Sequence, residues 1–333
     1  MFRMTMRVGA ILLCIPAILT CGPAGRAIAA TAPQTLILGH NSPPGGPHSI
    51  GARVFAEELG RLLPGRFQID EKGGVTLGPE PDLWDAVRLG TIDMALITTI
   101  SLTPQIPEMD IINVPFLFRD SGHAARVLAG PLGKSLAARL DASGVVLLAW
   151  GELGFRNITT SSRPVTGPAD LEGLRMRIVP NPIYRETFQA LGAHPVEMFL
   201  PELYNALREQ VVDGEENPLL VFQANHLDDV QHYVSLTRHV YNPLIFMMNK
   251  EVFDAMTAPE RKAVLTAAAA GARATREVVA QSEKKAIDAF RRKGLVVIEA
   301  VDRPAFERVL GPFLARCEQK FGAERLREIR ETR

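Results

Sequence analysis

Two arginines lie where predicted strands end. Arg177 is in the stretch "GLRMRIVPNP" (173–182), four residues ahead of Asn181, which is typical of a helix N-cap and is followed by proline. Arg156 follows the apolar run "GVVLLAW" (144–150). A guanidinium can hold a carboxylate through two parallel hydrogen bonds, and free N–H groups at a helix start also favour anions. The two arginines therefore predict a site for a small organic anion.

Further polar side chains lie at the ends of predicted strands, where α/β folds commonly bind ligands. These side chains are His40, Asn41, Thr98, Thr99 and Asn217. Some of them have a simpler alternative, since His40 and Asn41 would also suit an ordinary turn and Asn217 would cap a turn before Pro218.

The strand that carries Arg177 also carries Arg175. Alternate residues of a strand face the same side, so the two arginines share one face while Met176 and Ile178 take the other. We expect Arg177, which is nearer the helix start, to bind the anion, and Arg175 to meet solvent or an acid at the edge of the sheet. For Arg156 the alternative is a surface arginine paired with an acid.

Strand and helix patterns alternate along the first part of the chain. Strands are predicted at 35–40, 66–70 and 92–97, with a helical stripe of apolar residues between the first two and a short helix at about 82–89. This alternation predicts α/β units with a largely parallel sheet.

An internal repeat divides the chain into two similar units. The segment "LWDAVRLGTID" (83–93) aligns with "LYNALREQVVD" (203–213), and each is preceded by a predicted strand, helix and strand. A chance match between two short helical segments is the alternative. The repeat predicts two α/β lobes, built around residues 35–150 and 155–240.

The rest of the chain is predominantly helical. The residues "TAPE" (257–260) match a capping box and open an alanine-rich pattern that runs to about Arg292, which is long enough for a helix that crosses both lobes. A late strand is predicted at 294–300, followed by one or two amphipathic helices.

The first 30 residues are typical of a secretory signal peptide, because a basic start, a short apolar run and small residues follow one another. We predict cleavage after Ala29 or Ala30; an N-terminal membrane anchor and a lipoprotein cut before Cys21 are the alternatives.

The chain that remains after cleavage has 34 basic and 37 acidic residues, which gives no electrostatic basis for binding nucleic acid or anionic membrane. Cys14 and Cys21 are removed with the signal peptide, which leaves Cys317 as a single cysteine, so no internal disulfide is expected.

Enzyme and metal signatures are absent from the sequence. It contains no GxSxG, HExxH, CxxC or GxGxxG motif, and its histidines show no metal-ligand spacing. The segment "GPLGKS" (130–135) looks like the end of a phosphate-binding loop, but Leu128 stands where that loop needs glycine, so a turn and a helix start are predicted. We therefore predict no catalytic residue, no metal site and no cofactor.

Several stretches together resemble the periplasmic solute-binding subunits of tripartite ATP-independent periplasmic (TRAP) transporters, of the dicarboxylate-binding DctP type. The resemblance covers essentially the whole chain after the signal segment. Its strongest parts are "VPFLFRDSGHAARVLAG" (114–130), "GFRNITTSSRPVTGPADLEGLRMRIVPNPIYRETFQALGAHPVEM" (154–198), "ELYNALREQVVDGEENPL" (202–219) and "SLTRHVYNPL" (235–244).

The resemblance implies a two-lobed α/β periplasmic-binding-protein fold with a ligand cleft between the lobes and a long spanning helix. Lobe I would comprise 31–153 plus about 240–275, and lobe II 154–239 plus about 276–333. The resemblance also implies a monomer in the periplasm that catalyses nothing. Such a protein captures a small organic acid, closes over it by a hinge motion, and delivers it to the small and large membrane subunits of the transporter.

The resemblance implies roles for specific residues. In the family, an arginine at the position of Arg177 makes the main salt bridge to the ligand carboxylate, and the residues matching Arg156 and Asn217 face the ligand. We also place Pro182 and Tyr241 in the predicted site.

The sequence departs from the family pattern at two places. Glu215 stands where the motif "GQENP" has glutamine, and an extra carboxylate beside an anion site is unfavourable unless it points away or is paired. The turn "GGVTLG" (73–78) is less polar than is usual in the family. The far end of the ligand is therefore open: C4-dicarboxylates, uronic or aldonic acids, and aromatic or keto acids all fit.

Two other classes of function remain as alternatives. One is a periplasmic enzyme that acts on an organic acid, which the missing catalytic motifs disfavour. The other is a sensor subunit that presents its ligand to a receptor, which the sequence does not distinguish from a transport subunit.

Overall fold

The computed structural model describes Met1, residues 32–74 and residues 76–333. The predicted signal peptide at 1–30 and its cleavage site therefore lie outside the described residues, Met1 excepted. Residues Pro33–Arg333 form one compact unit. None of the helices described in it combines the length and the apolar character needed to cross a membrane.

The first α/β unit has three parallel strands with two helices between them. In chain order these elements are β1 (Gln34–Gly39), α1 (Pro47–Leu62), β2 (Phe67–Lys72), α2 (Glu80–Arg88) and β3 (Met94–Thr98). The central strand β1 pairs in parallel with both β2 and β3. The predicted strands and helices of this unit are thus confirmed, with small shifts at their ends.

A helical connection leads from this unit to the first long strand. It consists of two 3-10 segments (Thr99–Leu102 and Pro107–Asn113) and the helices α3 (Ser121–Ala129) and α4 (Pro131–Ala142), and it is followed by β4 (Val145–Thr160). The segment "GPLGKS" forms the start of α4, with a proline in its first turn. The prediction of a turn and a helix start is confirmed there.

The second α/β unit repeats the first. Its elements are β5 (Arg175–Ile178), α5 (Pro182–Ala190), β6 (His194–Glu197), α6 (Leu200–Arg208) and β7 (Gly214–Pro218). Its first strand again lies between the other two and pairs with both in parallel. Asn181 caps α5 by accepting a hydrogen bond from the Tyr184 N–H, as predicted. The predicted internal repeat is confirmed by this shared strand order.

Two long strands cross the centre of the sheet. After α7 (Leu219–Ala224), the chain enters β8 (Tyr233–Asn249), which runs antiparallel to β4 along nearly its whole length. Within the described residues the strand order is β2-β1-β3-β8-β4-β7-β5-β6, so β4 and β8 join the two units. The register shifts at Glu152/Gly154, where Gly154 adopts a φ of 95°. A glycine with positive φ is suited to such an irregularity.

The sheet is therefore mixed. The prediction of a largely parallel sheet is confirmed within each unit and wrong for the centre, where β3, β8, β4 and β7 pair antiparallel. The cause is that the chain passes between the units through extended strands, which the sequence pattern does not resolve because both faces of these strands are largely buried.

The last part of the chain is helical, as predicted. After α8 (Lys250–Ala255), the helix α9 (Ala258–Arg292) opens with the predicted capping box between Thr257 and Glu260. It packs closely on α1, because a Cβ at Gly271 would lie only 2.6 Å from the Gly51 carbonyl oxygen. The predicted late strand is β9 (Val296–Ile298), which pairs with β8. It is followed by α10 (Arg303–Val309), α11 (Gly311–Phe321) and α12 (Ala323–Glu331), which are three helices where one or two were predicted.

Candidate ligand-binding site

A cavity opens where both repeats meet the crossing strands. Its polar lining residues are Asn41, His48, Glu80, Thr98, Ser101, Arg156, Arg177, Asn217 and Asn242. Its apolar lining residues are Pro79, Leu153, Val179, Phe199, Leu200 and Val221. An apolar wall with a few convergent polar groups is typical of a small-molecule site.

Arg177 is a buried cation in this cavity. It is the third residue of β5, and its neighbours Met176 and Ile178 are buried in the core. Its side chain is 1 % exposed, and its Nε donates to the Met198 carbonyl oxygen at 2.9 Å. Nη1 has no hydrogen-bond partner, and no acid of the described chain lies within ion-pairing distance of the guanidinium. Burial, and then the positive charge of Arg156, lower the pKa of Arg177 to about 10.

Arg175 has the environment that was predicted for it. Its side chain is 45 % exposed, and its guanidinium binds the Asp213 carboxylate through Nε and Nη2. The two arginines of this strand therefore differ sharply, since Arg175 has a counter-ion near solvent and Arg177 has neither.

Arg156 is buried and is paired with an acid of the protein. Its Nε and Nη2 both donate to the Glu216 carboxylate, the latter at 2.7 Å, and Nη2 also reaches Asn217 Oδ1 at 3.2 Å. Burial alone would lower the pKa of Arg156, but the Glu216 carboxylate raises it. The alternative for Arg156 was a surface arginine paired with an acid. Arg156 does pair with an acid, but the pair is buried, because the neighbouring strands β4 and β7 bring Arg156 and Glu216 together in the interior.

Glu215, the departure from the family motif, points into the protein and is hydrogen-bonded there. Thr159 Oγ1 donates to one carboxylate oxygen at 2.7 Å and Asn217 Nδ2 donates to the other at 2.5 Å. Burial raises the pKa of Glu215 to about 7, and the adjacent Glu216 adds to this effect despite the hydrogen bonds. The carboxyl group is therefore partly protonated near neutral pH.

The Glu215→Gln variant is expected to become more stable than the wild type as the pH rises. The pKa of Glu215 is about 7 in the folded protein and 4.5 ordinarily, so the folded state holds this proton more tightly than the unfolded state. Its contribution to stability is complete below pH 4.5 and is lost as the pH rises through 7. Glutamine cannot lose a proton, so the difference in the free energy of unfolding should grow by up to about 3 kcal/mol over this interval. Denaturant titrations at pH 4.5, 7 and 8.5 measure it, and a difference that stays constant with pH would contradict the assignment.

Glu80 is a second buried acid of the cavity. It accepts hydrogen bonds from the Thr98 N–H at 3.1 Å and from the Thr98 and Ser101 hydroxyls at 2.5 Å each. Burial alone would raise the pKa of Glu80, but His48, whose Nε2 is 3.8 Å away, and the two hydroxyls together lower it below the ordinary value. The Glu80 carboxylate is therefore negatively charged at neutral pH.

Two further lining residues have polar atoms without partners. Asn242 is 1 % exposed and its Oδ1 accepts no hydrogen bond from the described residues. Both ring nitrogens of His48 are likewise without a hydrogen bond from that part of the chain. Buried polar atoms are usually paired, so unpaired ones in a cavity wall are suited to a ligand.

Glu80, Ser101, His48 and Asn242 were not predicted as site residues. Asn242 belongs to the quoted stretch "SLTRHVYNPL", but only Tyr241 was selected from it. The helix containing Glu80 was predicted to begin two residues later than it does, which left Glu80 in a turn. An acid at a helix start is common in any case, so only its contacts with Thr98 and Ser101 distinguish it.

Five of the predicted site residues line the cavity, namely Arg177, Arg156, Asn217, Asn41 and Thr98. His40 and Thr99 do not. Both are buried, but each lies beyond the end of its strand, His40 after β1 and Thr99 at the start of the first 3-10 segment. His40 bonds instead with Glu71 at 2.9 Å and with the Ser42 N–H, which fits the alternative of a turn residue.

Tyr241 and Pro182 also lie outside the cavity lining. Tyr241 precedes Asn242 in β8 and so faces the other side of the sheet, where it packs against Phe118 and Phe155 at ring-centroid distances of 5.5 and 5.4 Å. Pro182 is exposed in the first turn of α5. Across the described ranges there is no group of three or more His, Cys, Asp or Glu side chains able to hold a metal ion.

Comparison with known proteins places the chain among bacterial binding proteins. The family model for the bacterial extracellular solute-binding protein, family 7 (DctP), matches residues 38–320. A solute-binding protein of Verminephrobacter eiseniae is 38 % identical over 281 residues, which is 84 % of each chain. The 2,3-diketo-L-gulonate-binding periplasmic protein YiaO of Escherichia coli is 34 % identical over 295 residues, 89 % of this chain and 90 % of the other.

Solved structures show the same fold. The crystal structure of a TRAP periplasmic solute-binding protein from Polaromonas sp. JS666, bound to D-erythronate, is similar with a TM-score of 0.88 and 33 % identity. The similarity covers 90 % of this chain and 99 % of the other. The predicted α/β, two-lobed binding-protein fold with a long helix is thereby confirmed, while the predicted limits of the lobes stay a prediction.

Proposed function

We propose that this chain, which belongs to the bacterial extracellular solute-binding protein family 7, is the substrate-binding subunit of a TRAP transporter and captures small organic carboxylates. The observation that carries the proposal is Arg177, a buried guanidinium at the cavity that has no ion-pair partner among the described residues. Relatives with bound or named organic acids support the same ligand class.

A carboxylate would supply a counter-ion for the Arg177 guanidinium. Arg156 is already neutralised by Glu216, so the charge of Arg177 is the one that needs a counter-ion. A ligand carboxylate can accept two parallel hydrogen bonds from such a guanidinium. It would at the same time screen Arg177 from the repulsion of Arg156.

Binding of the ligand would be coupled to closure of the two lobes. The lining residues come from both repeats and from β4 and β8, so a ligand bound to Arg177 also contacts the side that carries Thr98 and Glu80. A ligand shifts an open–closed equilibrium by its differential affinity for the two states. We propose that the predicted lobes move about β4 and β8, near the irregularity at Gly154.

The remaining parts of the proposal concern the setting of this protein. It works in the periplasm as a monomer, transforms no substrate, and hands its ligand to the small and large TRAP membrane subunits. The family description as an extracellular solute-binding protein supports this setting.

Organic acids should stabilise the protein, whereas their primary amides should not. The amide keeps the shape of the acid and removes the charge that Arg177 needs. At a ligand concentration of 100 Kd, binding raises the free energy of unfolding by about 2.7 kcal/mol. Thermal-shift measurements on pairs of aldonic, uronic and C4 acids with their amides test this, with calorimetry for each acid that stabilises. Amides that stabilise as strongly as the acids would contradict a carboxylate site.

A further inference from the structure

We propose that the cavity selects a hydroxylated monocarboxylate and rejects a dicarboxylate, with Glu80 and Asn242 as the residues that set this preference. The inference rests on the proposed function, because it specifies which acids the same site accepts. It is carried by the charges and unpaired polar atoms of the lining.

The cavity offers a ligand one arginine without a counter-ion. Within the described residues its basic lining side chains are Arg156, Arg177 and His48, and His48 Nε2 lies 3.8 Å from the Glu80 carboxylate. Arg156 donates two hydrogen bonds to the Glu216 carboxylate, which leaves Arg177 as the group without a counter-ion. One unbalanced cation matches one carboxylate.

The part of the lining supplied by the first repeat carries a fixed negative charge. Glu80 is 6 % exposed, and its carboxylate is held by the Thr98 N–H and by the hydroxyls of Thr98 and Ser101. A second ligand carboxylate at this side would be desolvated beside a like charge, which is strongly unfavourable. Glu80 therefore acts against dicarboxylates.

The lining is also well equipped to bind hydroxyl groups. Asn242 Oδ1, on β8, is a buried acceptor with no hydrogen bond from the described residues, and the Glu80 carboxylate is an acceptor as well. His48 Nδ1 adds a further buried polar atom that has no hydrogen bond within the described residues. A site built to hydrogen-bond a hydroxyl rejects an analogue that lacks it, because its own polar atoms are then left unpaired.

The experiment uses acids that differ only at the far end. Galactonate and galactarate share their carbon chain and internal hydroxyls, and erythronate and meso-tartrate form the same kind of pair with four carbons. In each pair one member ends in CH2OH and the other in a second carboxylate. Calorimetry on the wild type should show at least about tenfold tighter binding of the monocarboxylate in every pair that binds. A dicarboxylate that binds as tightly as its partner would overturn the inference and leave the carboxylate site intact.

Two variants connect the preference to the named residues. Glu80→Gln removes the charge and keeps the shape, so the preference for the monocarboxylate should fall at least about tenfold. Asn242→Leu should weaken galactonate or erythronate about tenfold and affect butyrate, a monocarboxylate without hydroxyl groups, much less. The control is Glu57→Gln on the exposed side of α1, which should change neither affinity.

The outcomes separate this inference from the proposed function. If circular dichroism shows that Glu80→Gln does not fold, the wild-type pairs and Asn242→Leu still decide the question. An unchanged preference in a folded Glu80→Gln protein overturns the role of Glu80. If the wild type binds no acid of either pair and no acid of the wider panel, the proposed function fails and this inference fails with it.

Discussion

The Arg177→Met variant should lose carboxylate binding and gain stability. Truncating one partner of a buried, hydrogen-bonded charge pair costs 2–5 kcal/mol or more, so the affinity for any acid that the wild type binds should fall at least about 30-fold. Methionine matches the part of the arginine side chain up to Nε and lacks the rest of the guanidinium. The change therefore removes the charge that a ligand carboxylate would meet and keeps the buried stem packed.

The stability of the unliganded variant should change in the opposite direction. Burial and the charge of Arg156 lower the pKa of Arg177 to about 10 in the folded protein, which at neutral pH corresponds to a cost on the order of 3 kcal/mol for keeping this group charged. Losing the hydrogen bond from Nε to the Met198 carbonyl oxygen offsets about 1 kcal/mol of that gain. We expect the free energy of unfolding to rise by about 1–2 kcal/mol, measured by denaturant titration without ligand.

Arg175→Met is the matched control, because it is the same substitution two residues away on the same strand. Arg175 is half-exposed and pairs with Asp213 outside the cavity, so ligand affinity should stay within about twofold of the wild type. Wild-type affinity in Arg177→Met, or an equal loss in Arg175→Met, would show that the carboxylate is held elsewhere.

The lining residues that the sequence predicted share one property. Arg177, Asn217, Thr98 and Asn41 lie at or near the ends of strands that local patterns reveal, and the repeat indicates that two such sets exist. The carboxyl ends of parallel strands meet at one edge of a sheet, so these positions converge without knowledge of the packing. Local sequence patterns were therefore enough to select these four lining residues.

Long-range partners explain what the sequence did not predict. Glu80 becomes part of the site through Thr98 and Ser101, which follow it by 18 and 21 residues, and Arg156 finds Glu216 60 residues later. Such pairs depend on which strands become neighbours, and the antiparallel centre of the sheet was itself not predicted. His40 and Asn41 both follow the end of β1, so their closeness to a strand end did not separate the lining residue from its neighbour.

The Glu216→Gln variant should be strongly destabilised. Glu216 is 0 % exposed and is the counter-ion of Arg156, and His239 Nε2 lies 3.3 Å from the same carboxylate. Glutamine would leave Arg156 and Arg177 as two buried guanidinium groups with no close acid other than Glu215. Breaking a buried pair in this way costs about 3–5 kcal/mol, so the midpoint of thermal unfolding should fall on the order of 10 °C.

Two further variants show whether the loss comes from an unpaired buried charge. Glu209→Gln makes the same change in an ion pair at the surface, with Arg208, and should alter the free energy of unfolding by at most about 0.5 kcal/mol. The double variant Arg156→Met with Glu216→Met removes both charges and should recover most of the stability lost in Glu216→Gln, because apolar side chains of similar volume replace a buried pair at little cost. Denaturant titrations of all four proteins measure these differences. A double variant no more stable than Glu216→Gln would mean that the carboxylate stabilises the fold through its hydrogen bonds, independently of the charge of Arg156.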